Sequence, residues 1–151
     1  MAASGVCTRA PRPVTVLFVD DDADALFAYR LIGREEGMIV EVAGDGHEAI
    51  ALANVLLPDV IVLDLGLRSP DGLNGLEVAH RLRADSRTAT IPIVFLSGYD
   101  GPEDVAAMRE SGCEGYLVKP CSAEDVLGLV TALAMSRRDQ AITVEARALI
   151  G

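Results

Sequence analysis

The sequence predicts a doubly wound α/β sandwich, in which a five-stranded parallel sheet is covered by helices on both faces. Two observations carry this prediction. Short apolar runs alternate with segments of helical period through most of the 151 residues, which is the pattern of repeated β-α units. The runs VLFV, VIVL and IVFL are apolar at every position, as expected of parallel strands that are buried on both faces.

Five β-α units follow one another along the chain. The predicted strands are Val14 to Val19, Met38 to Ala43, Val60 to Leu63, Ile93 to Leu96 and Gly115 to Val118. The predicted helices are Ala25 to Glu36, His47 to Leu56, Gly75 to Ala84, Glu103 to Ser111 and Ala123 to about Met135. Gly37 and Gly112 stand where helices should end, and Asp45 and Ser122 stand where capping side chains are expected.

The length fits one domain with a core of its own. Residues 1–13 are small, polar and proline-bearing, and we predict a disordered lead-in there. The domain is predicted to occupy residues 14–136. Residues 137–151 form a C-terminal tail whose apolar content predicts packing on the domain or, in a homodimer, on a second copy. A frayed terminus is the alternative.

Composition excludes several functions. A net charge of -10 opposes direct binding to nucleic acid. The N-terminus lacks the apolar stretch of a signal peptide, and no apolar run reaches membrane-spanning length, so we expect neither export nor membrane insertion. The three cysteines form no C-x-x-C pair, which argues against a disulfide framework or a zinc site. A cytoplasmic protein with reduced thiols fits best.

Polar side chains follow four of the predicted strands. Asp20, Asp21 and Asp22 come after the first strand, and Asp64 comes after the third. The fourth and fifth strands are followed by Ser97 and Lys119. A single polar residue after a strand is common in ordinary turns. The carboxyl ends of parallel strands, however, meet at one edge of the sheet, and doubly wound folds bind ligands at this edge. The sequence therefore predicts a site at this edge.

The residue types indicate phosphoryl transfer. Carboxylates that share a site repel one another unless a hard cation lies among them, which predicts Mg²⁺. The ion can bridge to a phosphoryl oxygen, and Lys119 and Ser97 can supply a positive charge and a hydroxyl donor to the remaining oxygens. A carboxylate is a known nucleophile in such reactions, so the set suits phosphorylation of an aspartate.

The motifs VLFVDDD, DVIVLDL, IVFLSG and GYLVKP resemble those of response-regulator receiver domains, over about Val14 to Met135. The resemblance is to single-domain receivers of the chemotaxis-regulator kind. It implies the flavodoxin-like strand order 2-1-3-4-5. It also implies the following roles: Asp20 and Asp21 hold Mg²⁺, Asp64 is the phosphoacceptor and a further metal ligand, Ser97 and Lys119 assist it, and Tyr116 is the switch aromatic.

The resemblance further implies partners and a cis peptide bond at Lys119-Pro120. The phosphoryl group would come from a sensor histidine kinase or a histidine phosphotransfer protein. The output would be a protein-binding surface formed by about Glu103 to Met135, which binds a downstream protein target. Such a domain catalyses only its own phosphorylation and dephosphorylation, so it is not expected to be a conventional enzyme.

The sequence departs from the family pattern in three places. The segment Asp64 to Gly75 is about three residues longer than usual, which favours a different partner surface. Cys121 follows Lys119-Pro120 where the family commonly has phenylalanine. Gly66 and Tyr99 occupy positions that influence loss of the phosphoryl group. Glycine cannot hold a water molecule with a side chain, although its carbonyl could bind Mg²⁺, and Tyr99 could restrict water access.

Two alternative functions remain open at the level of sequence. A pseudo-receiver would keep the fold and serve as an interaction module without phosphorylation. A haloacid-dehalogenase-like phosphatase is suggested by the acidic run that starts at Asp20. That enzyme would use a nucleophile on the first strand and would leave Asp64 without a role.

Overall fold

A computed structural model describes residues 12–70 and 72–150, with side chains described up to residue 140. The strands are β1 (Thr15–Val19), β2 (Ile39–Ala43), β3 (Val60–Asp64), β4 (Ile93–Ser97) and β5 (Gly115–Val118). The helices are α1 (Ala23–Glu35), α2 (Gly46–Leu56), α3 (Gly75–Ala84), α4 (Pro102–Glu110) and α5 (Ala123–Ile150). Every boundary except the end of α5 lies within about two residues of the sequence-based prediction.

The sheet has the predicted order β2-β1-β3-β4-β5, and all four pairings are parallel. Alternate strand residues feed two cores. Leu17 and Ile61 belong to the core under α2, α3 and α4, whereas Val16 and Val62 belong to the core under α1 and α5. Because β1, β3 and β4 lie inside the sheet, they bury both faces, which explains their unbroken apolar runs. The predicted α/β fold is confirmed.

The predicted helix boundaries rest on the expected local contacts. The carboxylate of Asp45 accepts a hydrogen bond from the Glu48 amide at 2.8 Å, and Ser122 Oγ accepts one from the Asp125 amide at 3.0 Å. Both contacts satisfy amides that have no partner within the first helical turn. Gly112 ends α4 with a φ of 78°, a conformation that glycine adopts without steric cost.

The predicted end of the last helix near Met135 is wrong, because α5 continues to Ile150. No glycine or proline interrupts the chain between Leu129 and Ile150, so nothing in this stretch breaks a helix. The continuation is also held by the domain. Arg137 Nη1 donates to the main-chain oxygen of Pro58 at 3.1 Å.

Arg138 makes the stronger attachment. Its guanidinium donates to the main-chain oxygens of Arg12 and Pro13 at 2.8 and 3.1 Å, and it pairs with buried Asp59 at 3.1 Å. Asp59 also accepts the amide of Thr15 at 2.8 Å. These bonds fix α5 to the edge of the sheet where β1 and β3 begin.

The proposed division into lead-in, domain and tail stays a prediction. Residues 1–11, with Cys7, and residue 151 lie outside the described residues, and the tail begins inside α5. Cys113 and Cys121 are free thiols. Within the described part of the chain, no helix combines the length and the apolar character that crossing a membrane requires.

The long connection between β3 and α3 is folded back onto the domain. Leu67 and Leu73 are buried in the core under α2 and α3. Ser69 Oγ accepts a hydrogen bond from the Gly46 amide at 2.8 Å, and a Cβ at Gly46 would lie 2.6 Å from the Leu73 side chain. The described residues of this connection therefore form a surface beside the start of α2.

Candidate functional site

Three predicted carboxylates meet at the edge where the strands end. Asp20 directly follows β1, and Asp64 is the last residue of β3, so the pairing of these strands sets the two residues side by side. Ligand oxygens of Asp20, Asp21 and Asp64 all lie within 4.8 Å of one another. Asp20 and Asp64 are buried, whereas Asp21 is exposed. The site is therefore open to solvent on one side.

Lys119 brings a positive charge to the same place. Its Nζ lies 3.4 Å from Asp64 Oδ1 and 3.7 Å from Asp20 Oδ2. The lysine follows β5, and its amide donates to the main-chain oxygen of Ser97 at 2.7 Å. The next peptide bond, Lys119-Pro120, is cis, which confirms the sequence-based prediction.

Crowded negative charge is the main electrostatic feature of the site. Burial raises the pKa of Asp20 above its usual range, and the neighbouring charges of Asp64 and Asp21 raise it further. Two contacts act in the opposite direction and lower this pKa, namely the hydrogen bond from the Asp22 amide and the charge of Lys119. The carboxylates thus carry more negative charge than their surroundings neutralise, a condition that a bound divalent cation relieves.

Ser97 lies at the site but is engaged by its own loop. Its side chain is fully buried. The hydroxyl donates to the main-chain oxygen of Tyr99 and accepts the Tyr99 amide at 2.9 Å. The hydroxyl is therefore satisfied locally in this conformation, and it would have to leave the Tyr99 carbonyl before it could donate to another acceptor.

The remaining predicted residues surround the cluster at different depths. The Gly66 amide donates to Asp64 Oδ1 at 3.1 Å, and a Cβ at Gly66 would stand 3.7 Å from that oxygen, an ordinary contact. Tyr116 is half-buried against the core under α4. The side chain of Tyr99 is 66% exposed, so it does not fold over the site in this conformation.

Two neighbours of the site were missed in the sequence. Gly75 begins α3 so close to β3 that a Cβ there would lie 2.4 Å from the main-chain oxygen of Asp64. The only sign of this close approach in the sequence is that a glycine directly follows the capping residue Asn74.

The second neighbour is Tyr29, which stacks on Phe18 with ring centroids 4.6 Å apart. Burial raises the pKa of Tyr29, and the charges of nearby groups, including Asp20, raise it further.

The donor set fits a small hard cation. Mg²⁺ prefers oxygen ligands and usually binds one or two protein carboxylates together with water and phosphoryl oxygens. Asp20, Asp21 and Asp64 provide carboxylate oxygens, and the open side of the site leaves room for water and phosphoryl oxygens. Lys119 adds a cation that can face a phosphoryl group, and Asp64 is a potential nucleophile.

Comparisons with known proteins agree with this geometry. The profile described as "Response regulator receiver domain" matches residues 16–131. The chain is 39% identical over 137 residues to the probable transcriptional regulatory protein TcrX of Mycobacterium tuberculosis, covering 91% of this chain and 56% of that protein. It is 36% identical over 125 residues to the DNA-binding response regulator MtrA of Mycolicibacterium paratuberculosis, covering 83% and 53%. The chain thus spans about half the length of these relatives.

Solved structures agree as well. The chemotaxis protein CheY4 of Vibrio cholerae superposes with a TM-score of 0.74 at 30% identity, over 81% of this chain and 99% of that chain. The receiver domain of the Francisella response regulator 1452 gives a TM-score of 0.74 at 32% identity, over 83% and 99%. The fold, the carboxylate cluster and the matched profile lead to one conclusion. This chain belongs to the response regulator receiver domains of two-component signalling systems.

Proposed function

We propose that this chain accepts a phosphoryl group on Asp64 and that the phosphorylated form presents an altered protein-binding surface. One observation carries the proposal. The carboxylate of Asp64 shares a cluster with Asp20 and Asp21, and Lys119 Nζ lies 3.4 Å from its Oδ1. A nucleophile, a set of hard-metal ligands and a mobile cation therefore occupy one partly open edge of the sheet.

Asp20, Asp21 and Asp64 would hold Mg²⁺, with the main-chain oxygen of Gly66 as a further ligand. When bound, the ion neutralises negative charge that develops on the transferred group. A carboxylate oxygen of Asp64 attacks the phosphorus atom, and the bond from phosphorus to the donor's imidazole nitrogen breaks. The imidazole leaves with the electron pair of that bond. Lys119 pairs with an oxygen of the transferred phosphoryl group.

Ser97 connects phosphorylation to the surface. The new phosphoryl oxygens are strong acceptors, and they would draw the Ser97 hydroxyl away from the Tyr99 carbonyl. Loss of that bond releases the loop between β4 and α4, and Tyr116 follows as the switch aromatic. The proposal is supported by the weak packing of this region, since α4 buries only Met108 among its described residues and no residue of β5 is fully buried.

The phosphoryl donor in this proposal is a sensor histidine kinase or a histidine phosphotransfer protein. The receiver domain acts as a signalling domain, and its chemistry is confined to its own acyl phosphate. MtrA is a DNA-binding response regulator, and TcrX is a probable transcriptional regulatory protein. The net charge of -10 opposes contact between this chain and a phosphate backbone, so we propose a protein as its downstream target.

Intact-mass spectrometry after incubation with phosphoramidate and Mg²⁺ tests the proposal. We expect the wild-type chain to gain one phosphoryl group, mapped to Asp64, and to gain none when Mg²⁺ is chelated. Asp64→Asn should not be labelled. Asp22→Asn is the matched control, because Asp22 stands beside the site as the cap of α1 and asparagine caps helices equally well.

The same measurement separates the alternatives. A pseudo-receiver would gain no phosphoryl group in any variant, and a haloacid-dehalogenase-like phosphatase would be labelled on Asp20. Labelling of Asp64→Asn at the wild-type level would reject Asp64 as the phosphoacceptor. A pull-down with and without a stable phosphoryl mimic then identifies the downstream target.

A further inference from the structure

A groove lies between α1 and α5, on the face of the sheet that these two helices cover. It encloses about 400 Å³, a volume within the range of small-molecule pockets. Its floor is apolar and is made by the side chains of Ile32, Met38 and Leu127. These side chains belong to the core under α1 and α5 or pack against it, so the groove opens directly onto that core.

Gly128 keeps the groove open. It lies inside α5, where glycine destabilises a helix relative to alanine. A Cβ built at Gly128 would have no atom within 4 Å apart from the backbone of its own helix, so no contact in the described chain excludes a side chain there. The residue is exposed and lines the groove. A glycine at this position therefore gains the chain no packing and leaves space for an occupant.

Two carboxylates border the groove. Glu124 lies in the first turn of α5, and Glu36 directly follows the last residue of α1. Both residues are exposed, and neither forms an ion pair with a described residue. A negative charge at the C-terminal end of α1 meets the negative end of the helix dipole. The helix itself therefore gains nothing from Glu36.

The polar lining of the groove accepts hydrogen bonds and offers no free donor. Thr131 has the one side-chain donor among the lining residues, and its hydroxyl already donates to the main-chain oxygen of Leu127 at 2.9 Å. An anion would meet two carboxylates here and find no donor. A cation with an apolar body instead matches both the floor and the carboxylates.

We propose that this groove binds a small organic amine, whose apolar body lies on the floor while its ammonium group pairs with the carboxylates of Glu36 and Glu124. The size favours a small molecule, because seven lining residues are far fewer than the roughly 20–30 that a stable protein interface uses on each side. The acidic chain also opposes a second copy at an acidic groove. None of Asp20, Asp21 and Asp64 lines the groove, so this site goes beyond the proposed phosphorylation.

Titration of the isotope-labelled full chain with octylamine, followed by nuclear magnetic resonance, tests the proposal. The lining residues of α5 extend from Glu124 to Thr131, about 10 Å of helix, which an extended octyl chain can follow. We expect octylamine to shift the amide signals of Gly128 and Thr131 in a saturable way. Octanol, which has the same apolar body without the charge, should bind at least about tenfold more weakly.

Filling the groove tests the role of Gly128. Gly128→Leu should weaken octylamine binding at least about tenfold. Because leucine favours a helix more than glycine does, this variant should also unfold at a higher urea concentration, which separates lost binding from lost folding. Ala132→Leu is the matched control, since Ala132 is exposed on α5 and does not line the groove. It should bind octylamine as the wild-type chain does.

A pair of double variants tests the charges and decides the matter if Gly128→Leu does not fold. Glu36→Gln combined with Glu124→Gln should weaken octylamine binding at least about tenfold and should leave octanol binding unchanged. Glu35→Gln combined with Asp125→Asn removes the same net charge at exposed positions outside the lining. This control should bind octylamine nearly as tightly as wild type.

The groove can be tested whether or not Asp64 accepts a phosphoryl group, because Asp64→Asn should bind octylamine as wild type does. Octylamine that shifts no signal of the groove overturns the proposal. Equal binding of octylamine to wild type, Gly128→Leu and the double variant of Glu36 and Glu124 overturns it as well.

Discussion

Replacing Gly75 with alanine perturbs the contact between α3 and the strand that ends in Asp64. A Cβ at this position would lie 2.4 Å from the Asp64 main-chain oxygen and 3.0 Å from Leu65 Cα. Ordinary contacts of a Cβ begin at 3.4 Å, so the helix or the strand must move by about 1 Å. Backbone shifts of this kind cost about 1–3 kcal/mol. The better helix propensity of alanine returns less than about 1 kcal/mol.

We therefore expect Gly75→Ala to lower the free energy of unfolding by about 1–2 kcal/mol. We also expect slower labelling of Asp64, by at least about tenfold, because reacting groups misplaced by about 1 Å lose up to about 100-fold in rate. Urea unfolding measures the first effect. The chain has no tryptophan whose fluorescence could report the reaction. Intact-mass spectrometry during reaction with phosphoramidate therefore measures the rate at which Asp64 is labelled.

Two other glycines provide controls. Nothing lies within 4 Å of a Cβ built at Gly44, and a Cβ at Gly66 makes an ordinary contact with Asp64. Alanine at either position should change stability and labelling much less than alanine at Gly75. If Gly75→Ala unfolds at the wild-type urea concentration and is labelled at the wild-type rate, α3 does not constrain the phosphoacceptor in the way described.

Three further predictions follow from the site and from the base of α5. Asp20→Asn should raise the free energy of unfolding without Mg²⁺ near neutral pH, because it removes a buried charge beside Asp64 and Asp21. Because the pKa of Asp20 is raised in the folded chain, the cost of its charge is complete above the folded pKa and disappears as the pH falls to the ordinary value of 3.8. The gain seen in urea unfolding should therefore shrink toward about pH 4, and a gain independent of pH would contradict the cause. Phosphorylated Gly66→Asn should lose its phosphoryl group faster than the phosphorylated wild-type chain at fixed Mg²⁺. Tyr99→Ala should change this rate less, because the Tyr99 ring is largely exposed. Equal rates of phosphoryl loss in wild type and Gly66→Asn would reject the water-positioning argument. Arg138→Ala should lower the free energy of unfolding by about 1–3 kcal/mol, because buried Asp59 loses a charged partner. Arg138→Lys should retain part of this stability. An unchanged melting temperature in Arg138→Ala would show that the attachment contributes nothing.

Sequence predicted the features that follow from local pattern. Runs such as VIVL identified the buried strands, and the resemblance to receiver domains implied the strand order that places Asp64 beside Asp20. Features that depend on contacts between residues far apart in the chain could not be predicted from the sequence. The attachment of α5 to the domain depends on a hydrogen bond between Arg138 and Asp59, which are 79 residues apart. The hydrogen bonds of Ser97 to Tyr99 depend on a loop conformation that residue types alone do not define.

The loop between β3 and α3 shows a similar limit. Its extra length was visible in the sequence, and it favoured a different partner surface. Burial of Leu67 and Leu73 depends on the core that forms when α2 and α3 pack together. The sequence could therefore give the size of the loop but not its place on the domain.

The two buried leucines of that loop have a consequence for protein engineering. They act as fixed ends of a short surface stretch that includes exposed Arg68, Pro70 and Gly72. Since the ends are held by the core and by the Ser69 contact to α2, we expect a foreign peptide that replaces exposed Pro70 to leave α3 in place. The domain thereby offers an acceptor position for grafted recognition sequences, located within a few residues of the carboxylate whose chemistry they would report.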